Sequence, residues 1–185
     1  MPAISSAVLA ALLATPDPPG LGSGPRPHVL AAATLEPRLD EFGRQHATGA
    51  RQQELLRALV LLWHDQWHVA HTIVQELADA DAAFIHGIIH RREPDYWNAK
   101  YWFRRVGTHP LHPVLGALAV KLAATAERED VGTRCAPGGV WDPMAFVDFV
   151  QEVAALPVRD PGHQLAVTLQ EAESRLLLEH LGRIH

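Results

Sequence analysis

Histidines are concentrated in one stretch of this sequence, at the spacing expected of ligands on helices. Of the 12 histidines, seven lie between His64 and His112. His64, His68 and His71 follow one another at steps of four and three. On a continuous helix, this spacing places the three side chains within an arc of about 60°. The pattern therefore predicts a column of imidazoles along one helix.

A second column follows at the same spacing, formed by His86, His90 and Glu93. Antiparallel packing of two adjacent helices brings such columns together, and helix bundles build metal sites in this way. Imidazole and carboxylate groups suit zinc, nickel, iron or manganese. The two columns predict a divalent transition-metal site whose candidate ligands are five histidines: His64, His68, His71, His86 and His90.

Two carboxylates are candidates for catalysis beside such a metal. Asp65 and Glu93 lie next to the histidine columns and are predicted as general bases for a water that the metal activates. The sequence lacks the His-Glu-x-x-His pattern of zinc proteases, and the His64-Asp65 pair alone does not define an HD-type phosphohydrolase. Two alternatives stay open, metal-free acid–base catalysis and histidines that only hydrogen-bond across a helix interface.

The residues from 90 to 110 reverse the acidic average of the chain. They hold four arginines, one lysine and five aromatic side chains. Arginine binds carboxylate or phosphate through two parallel hydrogen bonds, and aromatic rings stack on planar ligands. The segment predicts a site for a small anion, with these candidate binding residues: Arg91, Lys100, Tyr101, Arg104 and His109. The alternative is that its arginines pair with carboxylates while its aromatic rings fill the core.

This segment resembles the signature of a family of uncharacterised proteins. The resemblance rests on the run His90 to Glu93, the run Asn98 to Gly107, and the pair His109-Pro110. It extends over about 50 residues, from His64 to Pro110. It implies membership of a defined family but assigns neither a function nor a catalytic residue.

Composition restricts the remaining possibilities. The chain has 185 residues, of which 48% are hydrophobic, and a net charge of -5, so no nucleic-acid or membrane partner is expected. The lone Cys135 excludes an internal disulfide. No lysine or arginine precedes Arg26, and no apolar run reaches the roughly 18 residues that cross a bilayer. We therefore expect a cytoplasmic protein.

Hydrophobic spacing predicts helices throughout the chain. The clearest is one continuous helix over residues 52–77, followed by helices after Asp79 or Asp81, over 96–106, over 114–127, over 144–156 and over 162–181. No segment alternates with a period of two. We expect an all-α, single-domain bundle of about six to eight helices over residues 29–185. Residues 1–28 are expected to form an N-terminal helix and an exposed loop rich in proline and glycine.

The leading functional hypothesis is a small helical protein with a cleft lined by histidine, arginine and glutamate. It predicts a divalent-metal-dependent hydrolase that acts on a small anionic substrate. One alternative is a non-catalytic protein that binds a small anion in the same cleft. Another is a structural protein whose polar network only fixes helix packing. The sequence does not determine the oligomeric state.

Overall fold

A computed structural model describes residues 4–46 and 48–183, and every regular element among these residues is helical. The all-α prediction is confirmed, although the number of helices exceeds the expected six to eight. The described residues form one short 3₁₀ turn, Pro137–Gly139, and ten α-helices: α1 (Ser6–Leu12), α2 (Ala32–His46), α3 (Ala50–Trp63), α4 (Trp67–Gln75), α5 (Ala80–Arg92), α6 (Tyr96–Val106), α7 (Leu111–Thr125), α8 (Glu129–Cys135), α9 (Pro143–Val153) and α10 (Pro161–Leu181).

Helix α5 is the most deeply buried element, with every residue from Ala82 to Arg92 inside the protein. It packs against α3, α4 and α6, so neighbouring helices cover it on several sides. Its sequence is apolar on several faces, which is the pattern of a buried helix rather than of a surface helix. The Asp79 side chain caps the first turn by accepting a hydrogen bond from the Ala82 amide at 2.9 Å.

The predicted continuous helix over residues 52–77 is wrong, because the chain breaks between α3 and α4. Asp65 adopts a left-handed conformation with φ of 60°, which no α-helix can contain. Its carboxylate accepts hydrogen bonds from Arg92 at 2.6 Å and from the Arg26 backbone amide at 2.8 Å. These two bonds stabilise the turn at a position where the sequence carries neither glycine nor proline.

The segment between α1 and α2 is irregular and about half exposed, as expected, but part of it packs onto this turn. Leu13 and Leu21 are buried in the hydrophobic core. Trp63 Nε1 donates a hydrogen bond to Thr15 Oγ1 at 3.0 Å. The N-terminal segment is therefore part of the packed structure around the end of α3.

The C-terminal half completes the bundle. The pair Asp142-Pro143 begins α9 as predicted, since the Asp142 carboxylate accepts hydrogen bonds from the Met144 and Ala145 amides at 2.9 and 3.1 Å. The long helix α10 packs against α3, α7 and α9, whereas α8 had no counterpart in the sequence prediction. None of the described helices combines the length and the apolar character that crossing a membrane requires.

Candidate functional site

Helices α4 and α5 bring three of the predicted histidines together. His71 lies on α4, and His86 and His90 lie one turn apart on α5. His71 Nε2 and His86 Nε2 are 3.0 Å apart. One ring nitrogen from each of the three side chains lies within 4.8 Å of the other two. We call His71, His86 and His90 the histidine triad.

The triad lies at the edge of the core, with His86 and His90 buried and His71 half-buried. The indole of Trp102, on α6, stacks on the His86 ring with centroids 3.7 Å apart. Burial, reinforced by the neighbouring His71 and His90, lowers the pKa of His86 to about 3. The His86 imidazole is therefore neutral near pH 7, so one ring nitrogen has a lone pair.

The His90 ring is oriented from its other side by Glu93. Glu93 Oε2 lies 2.9 Å from His90 Nδ1, and the Asn98 amide nitrogen lies 3.1 Å from His90 Nε2. Burial lowers the pKa of His90, although the Glu93 carboxylate opposes this shift. A neutral His90 that donates its Nδ1 proton to Glu93 has its lone pair on Nε2, the arrangement typical of a metal ligand with a carboxylate behind it.

The structure places the other two predicted ligands elsewhere. His64 Nδ1 accepts a hydrogen bond from the Leu30 amide at 3.2 Å, and His64 Nε2 lies 3.2 Å from the Leu12 carbonyl oxygen. His68 is exposed on α4 and stacks on Trp67. The prediction that His64 and His68 join the cluster is wrong. The break after α3 separates His64 from α4, whereas His68 lies on α4 with His71 but faces solvent.

Asp65, predicted as a general base, belongs to a buried ion-pair network. Its side chain is inaccessible to solvent and accepts hydrogen bonds from the guanidinium groups of Arg92 at 2.6 Å and Arg26 at 2.9 Å. Burial alone would raise the pKa of Asp65, but the hydrogen bonds from Arg92 and Arg26 outweigh it and lower the pKa. The two guanidinium groups occupy this carboxylate, so its geometry suits a structural ion pair and not a base for substrate.

Two of the predicted anion-binding residues also form internal ion pairs. Arg91 is completely buried and donates to Glu173 at 2.5 Å and to Gln170 at 3.3 Å. Lys100 pairs with Asp148. Both cations are therefore occupied by internal partners and are not placed to bind a small anion beside the histidine triad.

Tyr101 and Arg104 occupy exposed positions on α6. Arg104 lines a different cavity, beside His112 and Trp141. The cation that acts on the triad is instead Arg105, whose charge contributes to the low pKa of His86. Its guanidinium carbon lies 5.2 Å from the centroid of the Trp102 ring.

His109, the remaining predicted residue, belongs to a second cluster. His109 Nε2 lies 3.0 Å from Asp81 Oδ1, and His180 Nε2 lies 3.2 Å from the same oxygen. Sequence spacing did not indicate this cluster, because about a hundred residues separate Asp81 from His180. The sequence also did not indicate that Trp102 and Asn98 contact the triad, since both lie on α6, a helix without a histidine column.

Comparison of the chain with protein-family models, with curated proteins and with solved structures gave no match. Function is therefore inferred from the side-chain geometry of the described residues.

Proposed function

We propose that the histidine triad binds a divalent transition metal, and that the bound ion activates water for hydrolysis of a small anionic substrate. The observation that carries this proposal is the convergence of three imidazoles, with ring nitrogens of His71, His86 and His90 within 4.8 Å of one another.

The separations are those of a site that needs only small side-chain rotations to close. Zinc–nitrogen bonds of about 2.0–2.1 Å in tetrahedral geometry imply nitrogen pairs about 3.3 Å apart. His71 Nε2 and His86 Nε2 are already 3.0 Å apart. Three protein ligands leave a fourth position for water, which is the arrangement of catalytic rather than structural zinc.

Protonation also favours a metal. A cation competes with protons for imidazole lone pairs, so a ligand with a low pKa binds without first releasing a proton. The pKa of His86 is lowered to about 3 by burial and by its neighbouring histidines. Glu93, 2.9 Å from His90 Nδ1, is a positioning residue that keeps the His90 lone pair on Nε2, where an ion would displace the Asn98 side-chain amide that lies 3.1 Å away.

The substrate class follows from the nearest cation. Arg105 is exposed, lies over Trp102 and acts electrostatically on His86. A bound metal lowers the pKa of its water toward neutrality, and Arg105 supplies positive charge for a carboxylate or phosphate group beside it. We therefore assign to Arg105 the anion-binding role that the sequence suggested for Arg91 and Lys100.

Metal content tests the first part of the proposal. Full-length protein without a histidine tag is loaded with Zn²⁺, Ni²⁺, Fe²⁺ or Mn²⁺, passed over a desalting column and analysed for metal. We expect about one bound ion per chain in the wild-type protein and in His68→Gln, and a loss of at least tenfold in affinity for His71→Gln. His68 is the matched control because it is exposed on the same helix, three residues away.

Equal retention of metal by the two variants would show that the ion binds elsewhere. If the wild-type protein bound no metal ion stoichiometrically, the triad would be a cluster of histidines that only hydrogen-bond and pack. Either result removes the metal from the proposal, whereas loss in His71→Gln alone supports it.

Hydrolysis is tested separately on protein that has bound metal. p-Nitrophenyl phosphate and p-nitrophenyl acetate serve as anionic and neutral probes of the same leaving group. We expect metal-dependent hydrolysis of the phosphate ester, with a KM raised about tenfold in Arg105→Gln and no comparable change for the acetate ester. Turnover that is independent of metal would contradict the hydrolase assignment.

A further inference from the structure

A second polar cluster lies at the other end of α5 and adjoins a cavity of about 310 Å³. Asp81, in the first turn of α5, lies within hydrogen-bond distance of two histidines from distant parts of the chain. His109 Nε2 lies 3.0 Å from Asp81 Oδ1, and His180 Nε2 lies 3.2 Å from it. Asp81 and His180 both line the cavity, and His109 is buried behind them.

The protonation of His109 is fixed by its surroundings. His109 Nδ1 accepts a hydrogen bond from the Leu111 backbone amide at 3.2 Å. An amide can only donate, so Nδ1 carries the lone pair and the proton of the neutral ring is on Nε2, directed at Asp81. His109 therefore has no lone pair on the side that faces Asp81 and His180.

This arrangement disfavours a metal in the second cluster. A metal ligand needs its lone pair directed at the ion, and His109 presents an N–H there instead. Binding an ion would require His109 to change tautomer and give up its bond from Leu111. Asp81, His109 and His180 thus differ from the histidine triad, where the amide beside His90 Nε2 belongs to the Asn98 side chain, which can rotate away, and not to the backbone.

The same hydrogen bonds orient His180 for proton transfer. His180 Nε2 faces Asp81, whose carboxylate is held in place by the His109 N–H. The pKa of Asp81 is lowered despite its burial, because of the hydrogen bond from His109 and the neighbouring histidines, so the carboxylate is charged. A neutral His180 that donates its Nε2 proton to Asp81 keeps its lone pair on Nδ1, which has no protein partner among the described residues. This is the carboxylate–histidine pairing that enzymes use for a general base.

The cavity wall supplies recognition of an anion. Arg51 and Arg183 both line it, and Arg183 is exposed. One guanidinium nitrogen of Arg51 pairs with Asp79, and the Arg51 side chain as a whole is still 39% exposed. The accessible part of this guanidinium can therefore donate to a ligand in the cavity that supplies an acceptor. A phosphate or carboxylate oxygen is such an acceptor.

We propose that Asp81, His109 and His180 form a metal-free proton-accepting site, and that the adjoining cavity binds a small oxyanion carrying an acidic hydroxyl. Arg183 and Arg51 contact the anionic oxygens, and His180 Nδ1 accepts the hydroxyl hydrogen bond. On transfer, the O–H bond breaks, an N–H bond forms on His180, and the imidazolium charge lies against Asp81. The inference is independent of the metal proposed for the triad.

Inorganic phosphate is the probe, because its monoanion carries both the oxygens and the hydroxyl that the site requires. Full-length protein labelled with ¹⁵N-histidine and freed of metal by a chelator is studied by long-range ¹H–¹⁵N spectroscopy. We expect both His109 and His180 to be protonated on Nε2. Titration with phosphate at constant ionic strength should shift the His180 Nδ1 signal saturably, while His163, which lies on the same helix beside the Val153 carbonyl, stays unchanged.

Two variants identify the contacts. Arg183→Gln should weaken phosphate binding about tenfold, because it removes a charge-assisted hydrogen bond. Arg159→Gln is the matched control, since it removes the same charge from an exposed position outside the cavity lining, and it should leave the affinity unchanged.

Three outcomes would overturn the inference. One is a His180 tautomer with its proton on Nδ1, and another is a phosphate response no larger than that to chloride. The third is stoichiometric zinc binding that shifts His109 and His180 together, which would make the cluster a metal site. A saturable shift of His180 that is lost in Arg183→Gln and kept in Arg159→Gln would support it.

Discussion

Arg92 and Asp65 form a buried ion pair, with Arg92 Nη2 2.6 Å from Asp65 Oδ1, that joins the last turn of α5 to the turn after α3. Both side chains are almost inaccessible to solvent. Arg26 reaches the same carboxylate from the N-terminal segment. One carboxylate thus links three parts of the chain that sequence spacing treats as separate.

Removing the arginine of this pair should destabilise the fold strongly. Arg92→Met leaves the Asp65 carboxylate buried with one guanidinium partner, and breaking a buried pair in this way costs about 3–5 kcal/mol. The free energy of unfolding, measured in urea, checks the change. Arg134→Met is the control, because Arg134 pairs with Glu152 on the surface and should cost at most about 1 kcal/mol. Similar losses in the two variants would show that the Arg92 pair contributes no more than a surface pair.

The same region accounts for what the sequence could and could not predict. Helix existence was predictable, since apolar residues recur at steps of three and four and Asp142-Pro143 begins α9 as expected. The break at Asp65 was not predictable from local sequence. It depends on Arg26 and Arg92, which lie 39 and 27 residues away, and propensity alone carries no information on such partners.

That one break decides which candidate ligands meet. The step of seven residues from His64 to His71 places them on one face only if the helix is continuous. The turn between α3 and α4 interrupts the helix, so the two residues do not share a face. The step from His86 to His90 lies within α5 and survives. The second cluster shows the converse case. Tertiary packing brings Asp81, His109 and His180 together although no periodic spacing in the sequence predicts it.

His64 should make stability depend on pH. Its Nδ1 accepts from the Leu30 amide, so protonation of the ring removes that acceptor. Burial, with a smaller contribution from the Arg26 charge, lowers the pKa of His64 in the folded protein below its ordinary value. The unfolded chain takes up this proton first, at about pH 6.5. The stabilising contribution is therefore complete above that pH and is lost as the pH falls below it.

Unfolding free energies between pH 8 and pH 5 test this expectation. Other histidines of the unfolded chain also take up protons in this range, so the difference between wild-type protein and His64→Gln isolates the contribution of His64. Glutamine supplies an acceptor and a donor without a titrating proton, and the variant should lose less stability over this range. The protection factor of the Leu30 amide, its exchange rate relative to the intrinsic rate at the same pH, should also be lower at pH 5 than at pH 8 in the wild-type protein only. Parallel pH profiles of the two proteins would rule out His64 as the titrating group.

Gly116 should not tolerate a side chain. A Cβ atom at this position in α7 would lie 2.2 Å from the Gly139 carbonyl oxygen and 2.7 Å from the Trp141 amide nitrogen. Both are backbone atoms, so relief requires the segment before α9 to move. We expect Gly116→Ala to cost about 1–3 kcal/mol in spite of the better helix propensity of alanine. Gly20→Ala, which meets nothing within 4 Å, is the control and should be nearly neutral in urea denaturation. If Gly116→Ala, like Gly20→Ala, left the free energy of unfolding unchanged, the close approach of α7 to Gly139 would be contradicted.

The two tryptophans at the α3–α4 break should differ in their contribution to stability. The sequence placed both Trp63 and Trp67 in the central core. Trp63 is 2% exposed, donates to Thr15 and lies under the Arg175 guanidinium, 5.0 Å from its ring centroid. Trp67 is only half-buried, at the start of α4. The break rotates Trp67 toward the surface relative to its place on a continuous helix.

Trp63→Ala should therefore lower the free energy of unfolding by about 3–5 kcal/mol, the range for a large aromatic side chain removed from a core. Trp67→Ala should cost less than half as much, since part of its ring already contacts water and the cavity left behind opens to solvent. Urea denaturation followed by far-ultraviolet circular dichroism measures both without relying on tryptophan fluorescence, which the substitutions themselves alter. Equal losses would indicate that α3 and α4 form the single continuous helix that the hydrophobic pattern predicted, with both rings on its buried face.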